Sequence, residues 1–312
     1  MPIQSSLALP VGYQLHNYRI AKVLSQGGFG LVYLAYNEGE EPFAIKEYLP
    51  SALAAREDGA MVLATSADNL AGFRYGMKCF FEEGRALAKI NHPNVVRVVN
   101  FFRANDTVYL VMQYERGKTL QKLIQNQRQD ITENFIRRVF SSLLNGLREV
   151  HTHKLLHLDI KPANIYIRLD GSPVLLDFGA ARQTLASEKP MLTPMYTPGF
   201  AAPEQYGARE ILGPWSDIYS IGASIFACLA SYAPQAADAR TVVDKYVPAK
   251  KTWRGQYTEQ LLGIIDQCLQ LDHMRRPQSV FALQKTLMDT SIPLDKPSWL
   301  ESLREAWAKR RI

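Results

Sequence analysis

Apolar and polar residues alternate over short runs in the first third of the chain, and beyond residue 115 the apolar period lengthens to that of helices. Residues 18–24, 31–36 and Phe43-Ala44-Ile45-Lys46 predict three strands, the first two joined across Gln26-Gly27-Gly28-Phe29-Gly30. Between Leu53 and Leu63 two apolar runs flank Glu57-Asp58-Gly59, the pattern of a small hairpin. From Asp68, read as a helix cap, Leu70, Phe73, Met77, Phe80 and Phe81 recur at helical spacing, and core packing is the expected use of that stripe. Val108-Tyr109-Leu110-Val111-Met112 predicts a further strand.

Helices are predicted at 120–127 and 132–154, followed by short strands at 165–167 and 174–176. Asp217 begins a largely apolar helix that runs through residues 218–230. In the tail from Pro293, Trp299, Leu303 and Trp307 lie about a turn apart, which predicts one amphipathic helix packed on the body.

Composition adds bounds. A chain of 312 residues, 47% hydrophobic and 21% charged, is of ordinary globular make-up and fits two lobes better than one. The net charge of +6 comes from scattered Lys and Arg, with Lys309-Arg310-Arg311 read as a solvated helix end, so no nucleic-acid partner is expected. Cys79, Cys228 and Cys268 have neither metal-ligand spacing nor an even count, which points to a reducing, cytoplasmic compartment. The start lacks a basic, apolar leader, and the run at 218–230 is too short to span a membrane. A soluble chain is expected, with a membrane segment beyond Ile312 left open.

Candidate chemistry concentrates in His157-Leu158-Asp159-Ile160-Lys161-Pro162-Ala163-Asn164 and in Asp177-Phe178-Gly179. A carboxylate, an ammonium and a carboxamide precede one predicted strand, and a second carboxylate follows the next. A hairpin of those two strands brings both loops to one end, which gathers a base, a cation and two oxygen ligands. Few side-chain oxygens, completed by phosphate oxygens, suit Mg²⁺. This is equipment for phosphoryl transfer, where positioning and charge neutralisation supply most of the catalysis.

In this order the two loops resemble the catalytic and magnesium loops of eukaryotic-like (Hanks-type) serine/threonine protein kinases. Ile45-Lys46-Glu47-Tyr48-Leu49-Pro50 is similar to a bacterial branch of them. The resemblance covers residues from about 18 to about 290. It implies an α+β, two-lobed protein kinase fold. A β-rich N-lobe with one main helix would occupy 1–115, with an insert at about 47–78, and a mostly helical C-lobe 116–290, followed by a helical tail over 291–312.

The resemblance further implies ATP- and Mg²⁺-dependent phosphorylation of serine or threonine on protein substrates in bacterial signalling, with self-phosphorylation open to the enzyme. Asp159 would orient or deprotonate the hydroxyl, Lys161 would neutralise the moving phosphoryl group, and Thr197 would bridge the two. Asn164 and Asp177 would hold magnesium. Lys46 would hold the other phosphates, fixed by Glu83, which is preferred to Glu82 by its position relative to His92-Pro93. Ser25, Gly27, Gly28 and Gly30 would cover the phosphates, with Ser25 standing where the first glycine is usual. Val32 and Ala44 would lie above adenine, Tyr166 below and Met112 behind, while backbone groups of Gln113 and Glu115 would bond its edge.

Asp217 would brace the catalytic loop, and Arg276 would pair with Glu204 of Ala202-Pro203-Glu204 at the end of the activation segment. Leu158 departs from the family, many members of which place there an arginine that reads a phosphate on that segment. A pseudokinase, a nucleotide-binding scaffold without turnover, is the competing reading, and the presence of Lys46, Asp159 and Asp177 speaks against it. A small-molecule kinase would normally lack Ala202-Pro203-Glu204 and its arginine.

Overall fold

The computed structural model describes residues 7–56, 59–178, 196–207 and 211–288. The predicted tail helix and residues 179–195 lie outside them, as do Glu57 and Asp58. Two compact units form. Among the described residues, one comprises those up to Asn91 and Val96–Glu115, the other His92–Val95 and those from Arg116 onward. The sequence reading runs the first lobe unbroken to 115. The short stretch at His92–Val95 belongs to the second unit because Asn94 is stitched there: its carbonyl accepts from the Leu175 amide at 2.9 Å and its Nδ2 donates to Pro173 O at 2.7 Å.

In the first unit the alternating runs form a six-stranded antiparallel sheet in the order β1-β2-β3-β4-β8-β7. Its strands are β1 (Gln14–Leu15), β2 (Tyr18–Gly27), β3 (Gly30–Tyr36), β4 (Pro42–Tyr48), β7 (Val98–Ala104) and β8 (Thr107–Gln113). The insert contributes a two-stranded hairpin, β5 (Ala54–Ala55) and β6 (Leu63–Ala64). Strand β7 was not foreseen, because Val98-Val99-Asn100-Phe101-Phe102 does not alternate. Its signal lay in Asn105-Asp106, which take φ of 52° and 54° in the tight turn to β8.

At the centre of β4, Lys46 stands opposite Val32 and Leu110, and Glu47 opposite Leu31 and Tyr109. Neighbouring strand residues face opposite ways, so Lys46 and Glu47 occupy different faces of the sheet. The face of Glu47, with Leu31, Tyr33, Ile45, Tyr109 and Val111, is wholly buried. At the head of β3, Gly30 takes a φ of 150°, and a Cβ there would lie 1.8 Å from the Glu47 carbonyl oxygen. Only glycine fits.

Helix α1 (Ala67–Leu87) packs on the face of Lys46. Tyr48 stacks on Phe73 with ring centroids 5.7 Å apart and meets Phe80 at 5.6 Å. Two expectations need correction. Ser66, not Asp68, caps the helix, its side chain accepting from the Asn69 amide at 3.2 Å; Asp68 sits in the first turn, where a carboxylate suits the helix dipole. The buried stripe is Phe73, Gly76, Phe80, Glu83, Gly84 and Leu87; Leu70 is exposed and Met77 half-buried, both at its edge.

The second unit holds β9 (Gly117–Thr119), α2 (Leu120–Asn126), α3 (Glu133–Thr152), β10 (Ile165–Arg168) and β11 (Pro173–Leu175), then α4 (Pro214–Ala230), α5 (Ala237–Val242), α6 (Ala249–Thr252), α7 (Glu259–Cys268) and α8 (Val280–Met288). In α3 the residues Phe135, Val139, Leu143, Leu147 and Val150 recur at helical spacing and are all buried. Helix α4 is buried on every side from Ser216 to Leu229, so it forms the core of the unit. Strands β10 and β11 pair antiparallel, with Ile165 opposite Leu175, and β9 pairs on the far side of β10. Arg276 clasps Glu204 through two bonds of 2.8 and 3.0 Å in a fully buried pair. Among the described residues no helix is long and apolar enough to cross a membrane.

Candidate active site

Each unit carries one set of the singled-out residues. In the second unit, residues 157–164 are held from beneath by α4. Asp217, with no exposed surface, accepts the His157 amide at 2.9 Å on Oδ2 and the Leu158 amide at 2.7 Å on Oδ1, while His151 Nε2 donates to Oδ2 at 2.8 Å. Burial works to raise the Asp217 pKa, but the hydrogen bond and charge of His151 and the contacts with His157 override it and leave it below the ordinary carboxylate value. Leu158 is buried at φ 60°, and Gln205 Nε2 closes the loop by donating to its carbonyl at 2.8 Å. The His157 ring donates from Nε2 to Leu176 O at 2.9 Å and accepts the Asp159 amide on Nδ1 at 3.2 Å, which fixes a neutral tautomer.

So held, Asp159 receives three side-chain donors. The Thr197 hydroxyl donates to Oδ1 at 2.8 Å, the Lys161 ammonium lies 2.8 Å from Oδ2, and Asn164 Nδ2 donates to Oδ2 at 3.0 Å. Lys161 also donates to Thr197 Oγ1 at 2.8 Å, which closes a three-membered ring of contacts. Asp159 and Lys161 each keep about a fifth to a quarter of their side-chain surface open, 21% and 24%. The carboxylate is therefore fixed yet reachable.

Asn164 spends Nδ2 on Asp159, which leaves Oδ1 as an acceptor for a cation. Its carbonyl accepts the Leu176 amide at 2.8 Å, and Asp177, exposed and at φ 57°, follows directly. The donor set is two hard oxygens, which fits Mg²⁺ when phosphate and water complete the shell. Among the described residues no group of three His, Cys, Asp or Glu is placed to hold a metal. Tyr166 on β10 is half-buried and donates to Gly117 O at 2.9 Å.

In the first unit, Val32, Ala44 and Met112 share the face of Lys46 on three adjoining strands. Lys46 is 8% exposed with its ammonium 5.7 Å from the centroid of the Phe80 ring, and Glu83, 2% exposed, lies one helical turn further along the same stripe of α1. Ser25 stands opposite Val32, and Gly27 opposite Gly30, so Gly28-Phe29 turn the chain. Ser25, Gly27 and Gly28 are exposed. The turn is tied behind: Phe29 O accepts the Leu49 amide at 3.0 Å and Gly28 O the Ser51 amide at 3.2 Å. The Gln113 amide is committed to Arg97 O at 2.9 Å, which removes it as a donor to a ligand; Glu115 ends the unit.

Sequence reasoning missed Gln205, His151 and Arg56. The first two act on backbone or on Asp217 from distant positions, and nothing local marks them. Arg56, set between Ala55 and the acidic pair Glu57-Asp58, carries no local signal either: it is buried in full against Glu47.

Residues 18–288 match the protein kinase domain family. Among curated relatives, a serine/threonine-protein kinase C of Synechocystis is 27% identical over 93% of this chain and 53% of its own. CBL-interacting protein kinase 4 of Oryza sativa subsp. japonica is 31% identical over 70% of this chain and 46% of its own. The chain thus spans about half the length of the curated relatives it matches. A solved structure, the PpkA-294 apo form, superposes with a TM-score of 0.81 at 34% identity, covering 90% of this chain and all of that one.

Proposed function

Because the chain belongs to the protein kinase family, we propose that it moves the γ-phosphoryl group of ATP to serine or threonine hydroxyls of protein substrates. The observation that carries this reading is the ring of Asp159, Lys161 and Thr197, with Asn164 closing the far side of the carboxylate. A new P–O bond forms to the substrate oxygen as the bridge to ADP breaks, and the hydroxyl proton leaves towards Asp159. A carboxylate is a weak base at neutral pH, so Asp159 acts mainly by orienting the hydroxyl. Lys161 would offset charge on the group in flight. Thr197 fixes both. Lysine two residues after the aspartate, with a bridging threonine, favours serine/threonine over tyrosine substrates.

Asn164 and Asp177 would hold Mg²⁺, which neutralises phosphate charge when bound. Lys46, steadied by Glu83, would hold the remaining phosphates under the turn Ser25-Gly27-Gly28-Gly30. Adenine would meet Val32, Ala44, Met112 and Tyr166, with the Gln113 carbonyl and the Glu115 backbone at its edge. The reading extends to self-phosphorylation and to signalling in a bacterial cytoplasm. The thiols suit a reducing compartment: Cys228 and Cys268 are free, and burial pushes the Cys268 thiol up to about 12.

The test is incubation with ATP, Mg²⁺ and a generic protein substrate, followed by phosphoamino-acid analysis. Phosphoserine or phosphothreonine should form with the wild type. It should fall by orders of magnitude with Asp159→Asn at nearly unchanged nucleotide affinity. Nucleotide binding without any transfer would favour the scaffold reading instead.

A further inference from the structure

Next to Lys46, on the other face of β4, lies a charged cluster that the reaction does not use. Glu47 has no exposed surface. Its Oε1 accepts the Tyr109 hydroxyl at 2.5 Å and its Oε2 the Tyr33 hydroxyl at 2.6 Å, and Arg56 of the insert forks onto both oxygens. Two further donors of Arg56 go to Leu7 O and, at 3.0 Å, to Ala60 O. Tyr33 accepts in turn from the Leu9 amide at 3.2 Å. Burial and the Glu47 charge push both tyrosine hydroxyls well above their ordinary pKa, so they remain donors.

We propose that Glu47 is a positioning residue for Lys46 and that Arg56, with the insert around it, is the clamp that makes it one. The proposal rests on the reading of Lys46 as the phosphate-holding lysine. Three relations carry it. The two residues are adjacent in the central strand and face opposite ways, so anchoring one side chain sets the tilt of the peptide that aims the other. The anchor is dry and fully satisfied, with the four lone-pair directions of the carboxylate used by two hydroxyls and a guanidinium, so Glu47 has one position. The start of the same insert also holds the glycine-rich turn, through Leu49 to Phe29 O and Ser51 to Gly28 O. One segment therefore ties down both elements assigned to phosphates, and it does so from the side that no nucleotide reaches.

A residue that only stabilised the unit would, when lost, weaken every ligand alike. A residue that aims Lys46 acts on phosphates alone. Affinities for ATP with Mg²⁺ and for adenosine, which has the base but no phosphates, separate the two, measured by calorimetry below the melting point of each variant. Glu47→Gln and Arg56→Met should each weaken ATP about tenfold and leave adenosine within about twofold. Tyr109→Phe, which keeps the ring and removes one donor, should show the same selectivity at about threefold and serves if the other variants do not fold.

In a Lys46→Met background, Glu47→Gln should have no further effect on ATP, because the group it aims is gone. Equal losses for ATP and adenosine, or an undiminished loss in the Lys46→Met background, would overturn the proposal. If Lys46→Met alone leaves ATP affinity unchanged, the reading of Lys46 fails first, and that failure is visible separately.

Discussion

Asp217 holds Leu158. Its Oδ1 accepts the leucine amide at 2.7 Å, and so a carboxylate on the central helix keeps a branched side chain at φ 60° in the residue before Asp159. A left-handed conformation costs a non-glycine residue about 1–2 kcal/mol. The bonds from Asp217 and Gln205 offset that cost and fix the direction in which the next residue points.

Replacing Asp217 should therefore act on both stability and turnover. Asp217→Ala leaves two buried amides unsatisfied, at about 1–3 kcal/mol each, and should lower the melting temperature and slow phosphoryl transfer; Asp217→Asn, which keeps one acceptor oxygen, should cost less. The pH dependence has a definite sign. The folded pKa lies below the ordinary 3.8, so the stabilisation is complete above that value and is lost as the pH falls through the folded pKa. The difference in denaturant midpoint between wild type and Asp217→Asn should be constant at neutral pH and shrink below about pH 4.

Thr197 joins Asp159 to Lys161 by two 2.8 Å contacts. Thr197→Ala should lower kcat by about 10–100-fold with a small change in the KM for ATP, the signature of a group that matters only once the reacting atoms are aligned. Thr197→Ser keeps the hydroxyl and should recover most of the rate. Steady-state kinetics on the two variants decide it, and equal rates in Thr197→Ala and wild type would remove the bridge from the mechanism.

Phe73 lies well over a helical turn from Glu83 and touches no candidate catalytic group, yet its ring stacks on Tyr48, two residues after Lys46. Phe73→Leu should reduce activity several-fold at a modest loss of melting temperature. Phe73→Asp should cost about 3 kcal/mol or more, because it exchanges a buried ring for a charge. Thermal melts beside rate assays would expose the alternative, a Phe73→Asp enzyme as stable and active as wild type.

Leu158 also bears on regulation. Being buried and apolar, it makes no charge-assisted bond to a phosphate, a contact that contributes about 1.5–3 kcal/mol where an arginine is present. Phosphatase-treated enzyme should keep most of its activity, and the combined change of Thr184, Ser187 and Thr193 to Ala should cost less than several-fold. Those three residues, like Arg182, lie outside the described ones. Rate assays with mass spectrometry of the phosphate state are the check, and a hundredfold loss would contradict the expectation.

What the sequence disclosed follows from how local each signal is. The alternation at 18–24, 31–36 and 43–46 and the long stripe of α3 are set by near neighbours, and the protein kinase fold could be read from them together with the loops at 157–164 and 177–179. Contacts spaced far along the chain were not legible. Gln205 to Leu158 O, His151 to Asp217 and Arg56 to Glu47 each join residues whose own surroundings say nothing of the partner. The cap of α1 was misplaced by two residues because Ser66 and Asp68 are both good caps and only the chain's entry angle chooses between them. Glu47 belongs to the motif that marks the insert, but a glutamate on a strand reads as a surface residue until the segment that covers it is placed.

Gly30 changes how much a glycine-rich turn can say about nucleotides. The residue must be glycine before any ligand arrives, since a side chain there would collide with the backbone of Glu47 at any nucleotide concentration. A descendant of this chain that had lost ATP altogether would still be obliged to keep it. Gly27 is under no such obligation, for a Cβ added there meets nothing within 4 Å. Two letters of one motif thus carry different weight: the architecture of the sheet demands the one and leaves the other open.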